Sequence, residues 1–151
     1  MPDLRELYQE VILDHQKRPR NFRRLENANK SADGYNPLCG DKVSVYLDVE
    51  NGVVRNIGFQ GSGCAISTAS ASMMTESVKG KSEAEAQALF RRFHDLVTGK
   101  SSPQDDSAGL GKLAVFGGVR DYPVRVKCAT LAWHTLRAAL EGNVAEPVRT
   151  E

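Results

Sequence analysis

Only three cysteines occur in 151 residues. An odd and sparse set gives a disulfide framework nothing to build on, so the thiols are left for metal ligation, reaction or packing. No apolar run approaches the roughly 18–20 residues that a membrane-spanning helix requires. The start, Met1-Pro2-Asp3-Leu4-Arg5-Glu6, lacks the basic-then-apolar order of a secretory signal. A cytoplasmic location and no membrane partner are therefore expected. An excess of charge is missing as well: 20 Lys and Arg face 19 Asp and Glu, a net charge of +1, so nothing calls for nucleic acid or an anionic surface as partner. Internal repeats and low-complexity tracts are absent too. The length suits one domain with its own core, expected over residues 1–143, with a frayed tail over 144–151.

What is present has clear periodicity. Leu4, Leu7, Tyr8, Val11 and Ile12 recur at helical spacing, opposite Arg5, Glu6, Gln9, Glu10 and Asp14. This predicts an amphipathic helix that starts near Asp3 and fails before Pro19. The following Lys17 to Arg24 reads as a basic, irregular linker, solvated or docking a partner. Lys42 to Val49 alternates apolar and polar with period two, as a half-buried strand does. Asn51-Gly52 is a hairpin turn signal, and the return strand is expected over Val53 to Phe59. A third strand is expected within Asn27 to Tyr35. Ala65 to Lys79 reads as a helix closed by Gly80. Ser82 and Glu85 form a capping box for the next helix, which runs to Thr98. Lys100 to Gly111 is polar and reads as an exposed loop. From Pro123 a last helix runs to about Leu140, with Val124, Cys128, Leu131 and Thr135 on one stripe, and Gly142 ends it. Strands followed by helices, segregated along the chain, predict an α+β fold: a small antiparallel sheet of about three strands packed against a group of helices.

Three motifs carry the chemistry: Cys39-Gly40-Asp41, Gly61-Ser62-Gly63-Cys64-Ala65 and Arg125-Val126-Lys127-Cys128. If the fold joins them, three thiolates and one carboxylate fill a zinc tetrahedron. Around a divalent ion that set carries a formal charge of −2, which Arg125, one helical turn before Cys128, partly offsets. Gly40 lets the chain bend between the first two donors. Cys64 lies where a glycine-rich turn enters a helix, so unpaired amides and the helix dipole favour its thiolate. Cys39, in a turn, is the thiol most able to swing out and react. Spacing alone leaves three readings open: a metal site, a sulfur-accepting site, or small buried side chains, the last suiting Cys128 on its apolar stripe. A cysteine hydrolase needs a placed histidine, and His15, His94 and His134 all fall in or at the end of predicted helices, none beside a turn.

Four segments together resemble a known family. They are Tyr8…Val11-Ile12-Leu13-Asp14-His15 with Pro19-Arg20-Asn21; Asn36-Pro37-Leu38-Cys39-Gly40-Asp41; Gly58-Phe59-Gln60-Gly61-Ser62-Gly63-Cys64-Ala65-Ile66-Ser67; and Arg125-Val126-Lys127-Cys128-Ala129-Thr130-Leu131-Ala132-Trp133. The chain resembles the U-type iron–sulfur cluster assembly proteins from its first helix to about Leu140. That implies a SufE/IscU-like fold. Within the family, a scaffold branch of IscU type builds a [2Fe–2S] cluster, and a SufU branch binds zinc and accepts sulfur. The scaffold branch carries a histidine just before its last cysteine, where this chain has Lys127. The stretch Gly99 to Gly118 resembles the insertion of the SufU branch. The resemblance then implies that Cys39, Asp41, Cys64 and Cys128 ligate zinc. Cys39 would accept persulfide sulfur from a SufS-type cysteine desulfurase as a sulfurtransferase, freed from the metal on docking. Arg125 would engage that partner, and the downstream Suf machinery would receive the sulfur. The alternative implied is a [2Fe–2S] scaffold, which the same donor set can also ligate.

Overall fold

The structure is a computed structural model that describes residues 4–37, 40–100, 111–142 and 148–149. Helix α1 (Leu4–Lys17) ends two residues before Pro19, as the ring of that residue dictates. Three antiparallel strands follow: β1 (Lys30–Asn36), β2 (Asp41–Glu50) and β3 (Val53–Ser62). Asn51 and Gly52, both at positive φ (54° and 74°), turn β2 into β3 with the twist that favours a tight hairpin. Helices α2 (Ala65–Val78) and α3 (Glu83–Val97) come next. A 3₁₀ segment (Gly111–Asp121) leads into α4 (Pro123–Glu141), which Gly142 closes in the left-handed conformation. The α+β class and the three-stranded antiparallel sheet are as expected.

Period-two burial decides which sheet face meets the helices. Val43, Val45 and Leu47 of β2 and Val54, Ile57 and Phe59 of β3 are buried, while Lys42 and Gln60 are exposed. α4 packs against β1 and β2, α2 packs against β3 and α4, and α1 lies on α2. At the centre Trp133 stacks on Phe93 with centroids 4.7 Å apart, and Phe116 meets Phe93 edge-on at 5.6 Å. The indole N–H donates to Ser70 Oγ at 3.2 Å, and that hydroxyl donates to the carbonyl of Ala129. These buried polar groups are thus paired, as a low-dielectric interior requires.

Several details differ from the sequence-based expectation. β3 runs three residues past Phe59, to Ser62, which carries the sheet up to the glycines before Cys64. Within the stretch Gly99 to Gly118, residues 101–110 lie outside the described residues, but the 3₁₀ segment that follows them buries Leu113, Phe116 and Val119. A three-residue repeat of apolar side chains is the face that a 3₁₀ helix turns inward. In the segment expected to fray, Val148–Arg149 form a short strand β4 parallel to β1, giving the sheet order β3-β2-β1-β4. The basic stretch after α1 is also more than a solvated linker. Arg20 pairs with Asp14 at 2.7 Å while its backbone N–H donates to Ser72 Oγ at 2.8 Å. His15 Nδ1 meets the same hydroxyl at 2.7 Å, and Asn21 Nδ2 donates to Thr75 Oγ1 at 3.0 Å. The Ser72 hydroxyl thus joins the backbone of Arg20 to the ring of His15. On its other side, His15 Nε2 lies 3.6 Å from the Glu76 carboxylate.

Candidate metal centre

The site lies where the β1–β2 hairpin, the start of α2 and the second turn of α4 meet. Asn36 ends β1 and Asp41 opens β2, and the two are paired in register. Between them the chain turns at Gly40, whose φ of 70° suits the bend the sequence required. Cys39 belongs to this turn in sequence and lies outside the described residues. Asp41 is fully buried, as is Cys128 on α4, and Cys64 is half-buried. One donor atom from each of Asp41, Cys64 and Cys128 falls within 4.8 Å of the other two. Among the described residues this is the one group of three or more such side chains so placed.

Cys64 is the N-cap of α2. Its φ and ψ of −71° and 169° are extended, and its Sγ accepts the backbone N–H of Ser67 at 3.4 Å. Sulfur here takes the place that a serine or aspartate oxygen takes in ordinary caps. The Cys64 thiol is lowered to about 6 from its ordinary 9.0. A hydrogen bond with Cys128 contributes most, burial opposes it, and the amides of Ser67 and Ile66 lower it further, while the Asp41 carboxylate raises it. The thiolate character expected from the sequence is present, but its main source is Cys128, and the amides of the helix entry only add to it.

Asp41 is held by the same turn. Its Oδ1 accepts the backbone N–H of Cys64 at 2.9 Å, and Oδ2 stands 4.0 Å from Cys64 Sγ. Gly63 makes this approach feasible, because a Cβ there would sit 2.5 Å from Asp41 Oδ1. Cys128 has an outer partner that the motifs alone did not single out as functional: Asn36 Nδ2 donates to its Sγ at 3.6 Å, with both residues fully buried. Arg125, three residues before Cys128, is exposed on the first turn of α4. Beside it in sequence Tyr122 and Val124 are 64% and 50% exposed, so Val124 is not part of the buried stripe that Cys128, Leu131 and Thr135 form. His94 and His134 pack with Phe90 on α3 and α4, and His15 is tied to α2, so none of the three joins the site.

Two thiols and one carboxylate this close suit zinc, whose bonds of roughly 2.3 Å to sulfur and 2.0–2.2 Å to oxygen set neighbouring donors about 3.5–4 Å apart in a tetrahedron. This α+β domain thus gathers cysteine sulfur and an aspartate at a sheet-to-helix junction, a donor set that could hold a metal ion. Residues 7–141 match the model of the NifU-like N-terminal domain, and the chain belongs to that family. Over 140 residues it is 42% identical to the zinc-dependent sulfurtransferase SufU of Bacillus subtilis, covering 93% of this chain and 90% of that one. It is also 41% identical over 138 residues to the iron–sulfur cluster assembly scaffold protein IscU of Streptococcus pyogenes, covering 91% and 85%. Among solved structures, the N-terminal part of a NifU-like protein from Brucella abortus shares the fold with a TM-score of 0.81 at 23% identity, covering 92% of this chain and 96% of that one. No helix among the described residues is long and apolar enough to cross a membrane.

Proposed function

We propose that this protein serves iron–sulfur cluster assembly as a zinc-holding sulfur acceptor, with Cys39, Asp41, Cys64 and Cys128 as ligands and a SufS-type cysteine desulfurase as sulfur donor. The observation that carries this is the convergence of Asp41, Cys64 and Cys128 at the end of the hairpin to which Cys39 belongs. The zinc-dependent SufU relative supports it. A zinc ion bound there would keep its thiolate ligands deprotonated at neutral pH.

Cys64 and Cys128 are each tied into the fold by hydrogen bonds, a property suited to ligands that stay. Cys39 is the thiol we assign to acceptance. Its thiolate attacks the outer sulfur of the desulfurase persulfide. A new S–S bond forms on Cys39 while the S–S bond to the desulfurase cysteine breaks, and that cysteine leaves as a thiolate. The exchange moves one sulfur and needs no outside oxidant or reductant. Arg125, with the exposed Tyr122 and Val124, offers the contact surface beside the site.

The second reading, a [2Fe–2S] scaffold, is favoured by the relatives that carry that name and by the same donor set. Metal analysis of freshly purified protein, with an assay of desulfurase turnover, separates the two. About one zinc per chain with stimulated cysteine turnover, lost in Cys39→Ala, supports sulfur transfer. Iron with acid-labile sulfide and no stimulation would establish the scaffold. Full stimulation by Cys39→Ala would sink the role given to Cys39.

A further inference from the structure

We propose that Asn36 is a positioning residue of the metal centre, whose side-chain amide orients Cys128 Sγ and draws charge from it when the sulfur is a metal ligand. The proposal rests on the metal-centre reading above. It starts from a break in pattern. Along β1 the inward positions are Ala32, Gly34 and Asn36, and the last is fully buried where packing alone would favour an aliphatic side chain. A buried amide costs free energy unless its hydrogen bonds are made. Here Nδ2 donates to Cys128 Sγ at 3.6 Å, across 92 residues of sequence.

The two described thiols are supported in different ways, and the helices explain why. Cys64 caps α2, so its sulfur meets an amide that the helix leaves without a backbone partner. Cys128 lies five residues after Pro123, beyond the first turn of α4, where backbone N–H groups are taken up by the helix itself. An outer donor to this sulfur must come from another element, and Asn36 supplies it. Because Asn36 is paired in register with Asp41, the same bond ties the hairpin that carries two of the proposed ligands to the helix that carries a third. Outer partners of this kind fix the direction of a ligand and tune its basicity.

The test uses the whole chain loaded with an NMR-active cadmium isotope in place of zinc. The expected result is a scalar coupling between the Asn36 side-chain amide protons and the metal, transmitted through Cys128 Sγ. In parallel, Asn36→Leu and Asn36→Asp, which remove the donor at similar size, should bind zinc about 10–100-fold more weakly. With cobalt in place of zinc, both variants should shift the sulfur-to-metal charge-transfer band, with far-UV circular dichroism unchanged. Cadmium bound without coupling to Asn36 would overturn the proposal, as would Asn36→Leu with native zinc affinity and an unmoved cobalt band. Should the variants fail to fold, the wild-type coupling decides. Absence of any thiolate-bound cadmium signal would instead remove the metal-centre reading, and the proposal with it.

Discussion

The carboxylate of Asp41 accepts the backbone N–H of Cys64 at 2.9 Å, so one residue of the candidate site is held in place by another. Oδ1 is committed to this bond, and Oδ2 lies on the side of Cys64 Sγ, 4.0 Å from it. The helix entry and the strand start are thereby locked together before anything binds.

Gly63→Ala tests that lock. The added methyl group would lie 2.5 Å from Asp41 Oδ1 and must push the carboxylate aside. Zinc affinity, read by competition with a chromophoric chelator, should fall about 10–100-fold, the usual cost of disturbing a ligand's support. The helices and sheet are untouched, so the far-UV spectrum should stay as it is. Unchanged affinity would show that Asp41 finds its position without the turn.

Ser72→Ala tests the clasp between α1 and α2. The hydroxyl serves both the backbone N–H of Arg20 and Nδ1 of the buried His15. Its removal takes the shared partner from both groups. A loss of about 1–3 kcal/mol is expected in urea unfolding. A loss below 0.5 kcal/mol, roughly that of a neutral surface change, would mean that water replaces the clasp.

A pH dependence follows from His134. Burial, followed by the nearby His94 and Arg137, pushes its pKa down to about 4 from 6.5. The unfolded chain takes up this proton near 6.5 and the folded chain only near 4. The unfolded state therefore binds more protons across that window, and stability falls as pH drops through it. Above about 6.5 the effect is fully relieved. His134→Gln should show a smaller loss of thermal stability between pH 7.5 and pH 4.5 than the wild type. Equal losses in the two proteins would assign the acid sensitivity to other groups.

Phe116→Ala addresses the segment that sequence reading understood least. Phe116 is fully buried and meets Phe93 edge-on within the aromatic cluster around Trp133. Truncation should cost about 3–5 kcal/mol, as for aromatic side chains in packed cores. A cost near zero, by thermal or urea unfolding, would mean that Phe116 adds nothing to the core.

That segment also shows where local signals end. Alternation along Lys42 to Val49, the Asn51-Gly52 turn and the capping box of Ser82 with Glu85 are short-range devices. All three appear in the fold as expected, because each is settled within a few residues. The capping position of Cys64 was legible for the same reason, since a glycine turn leads directly into its helix, but the larger effect of Cys128 on its thiol was not. The 3₁₀ segment was not, because its apolar residues fall at a spacing between those of helix and strand and are interrupted by glycines. Nor was the role of Asn36 beside Cys128, nor that of Ser72 beside His15. Those pairings span 92 and 57 residues, and no local periodicity records a partner so far away.

Gly34 is packed so closely against α4 that a Cβ there would collide with Thr135 Oγ1, with Leu131 and Val43 side chains each 3.2 Å from it. Thr135 has little room to yield, because its hydroxyl is bonded to the carbonyl of Leu131 at 2.8 Å. The two positions therefore constrain each other's history. A lineage that gains alanine at 34 while Thr135 is intact meets the collision with Oγ1, whereas one that first shortens the side chain at 135 to alanine removes it and leaves only the tight contacts with Leu131 and Val43. Substitutions at this pair should accumulate in one direction, and laboratory evolution should find the alanine at 34 only in backgrounds where Thr135 has already been trimmed.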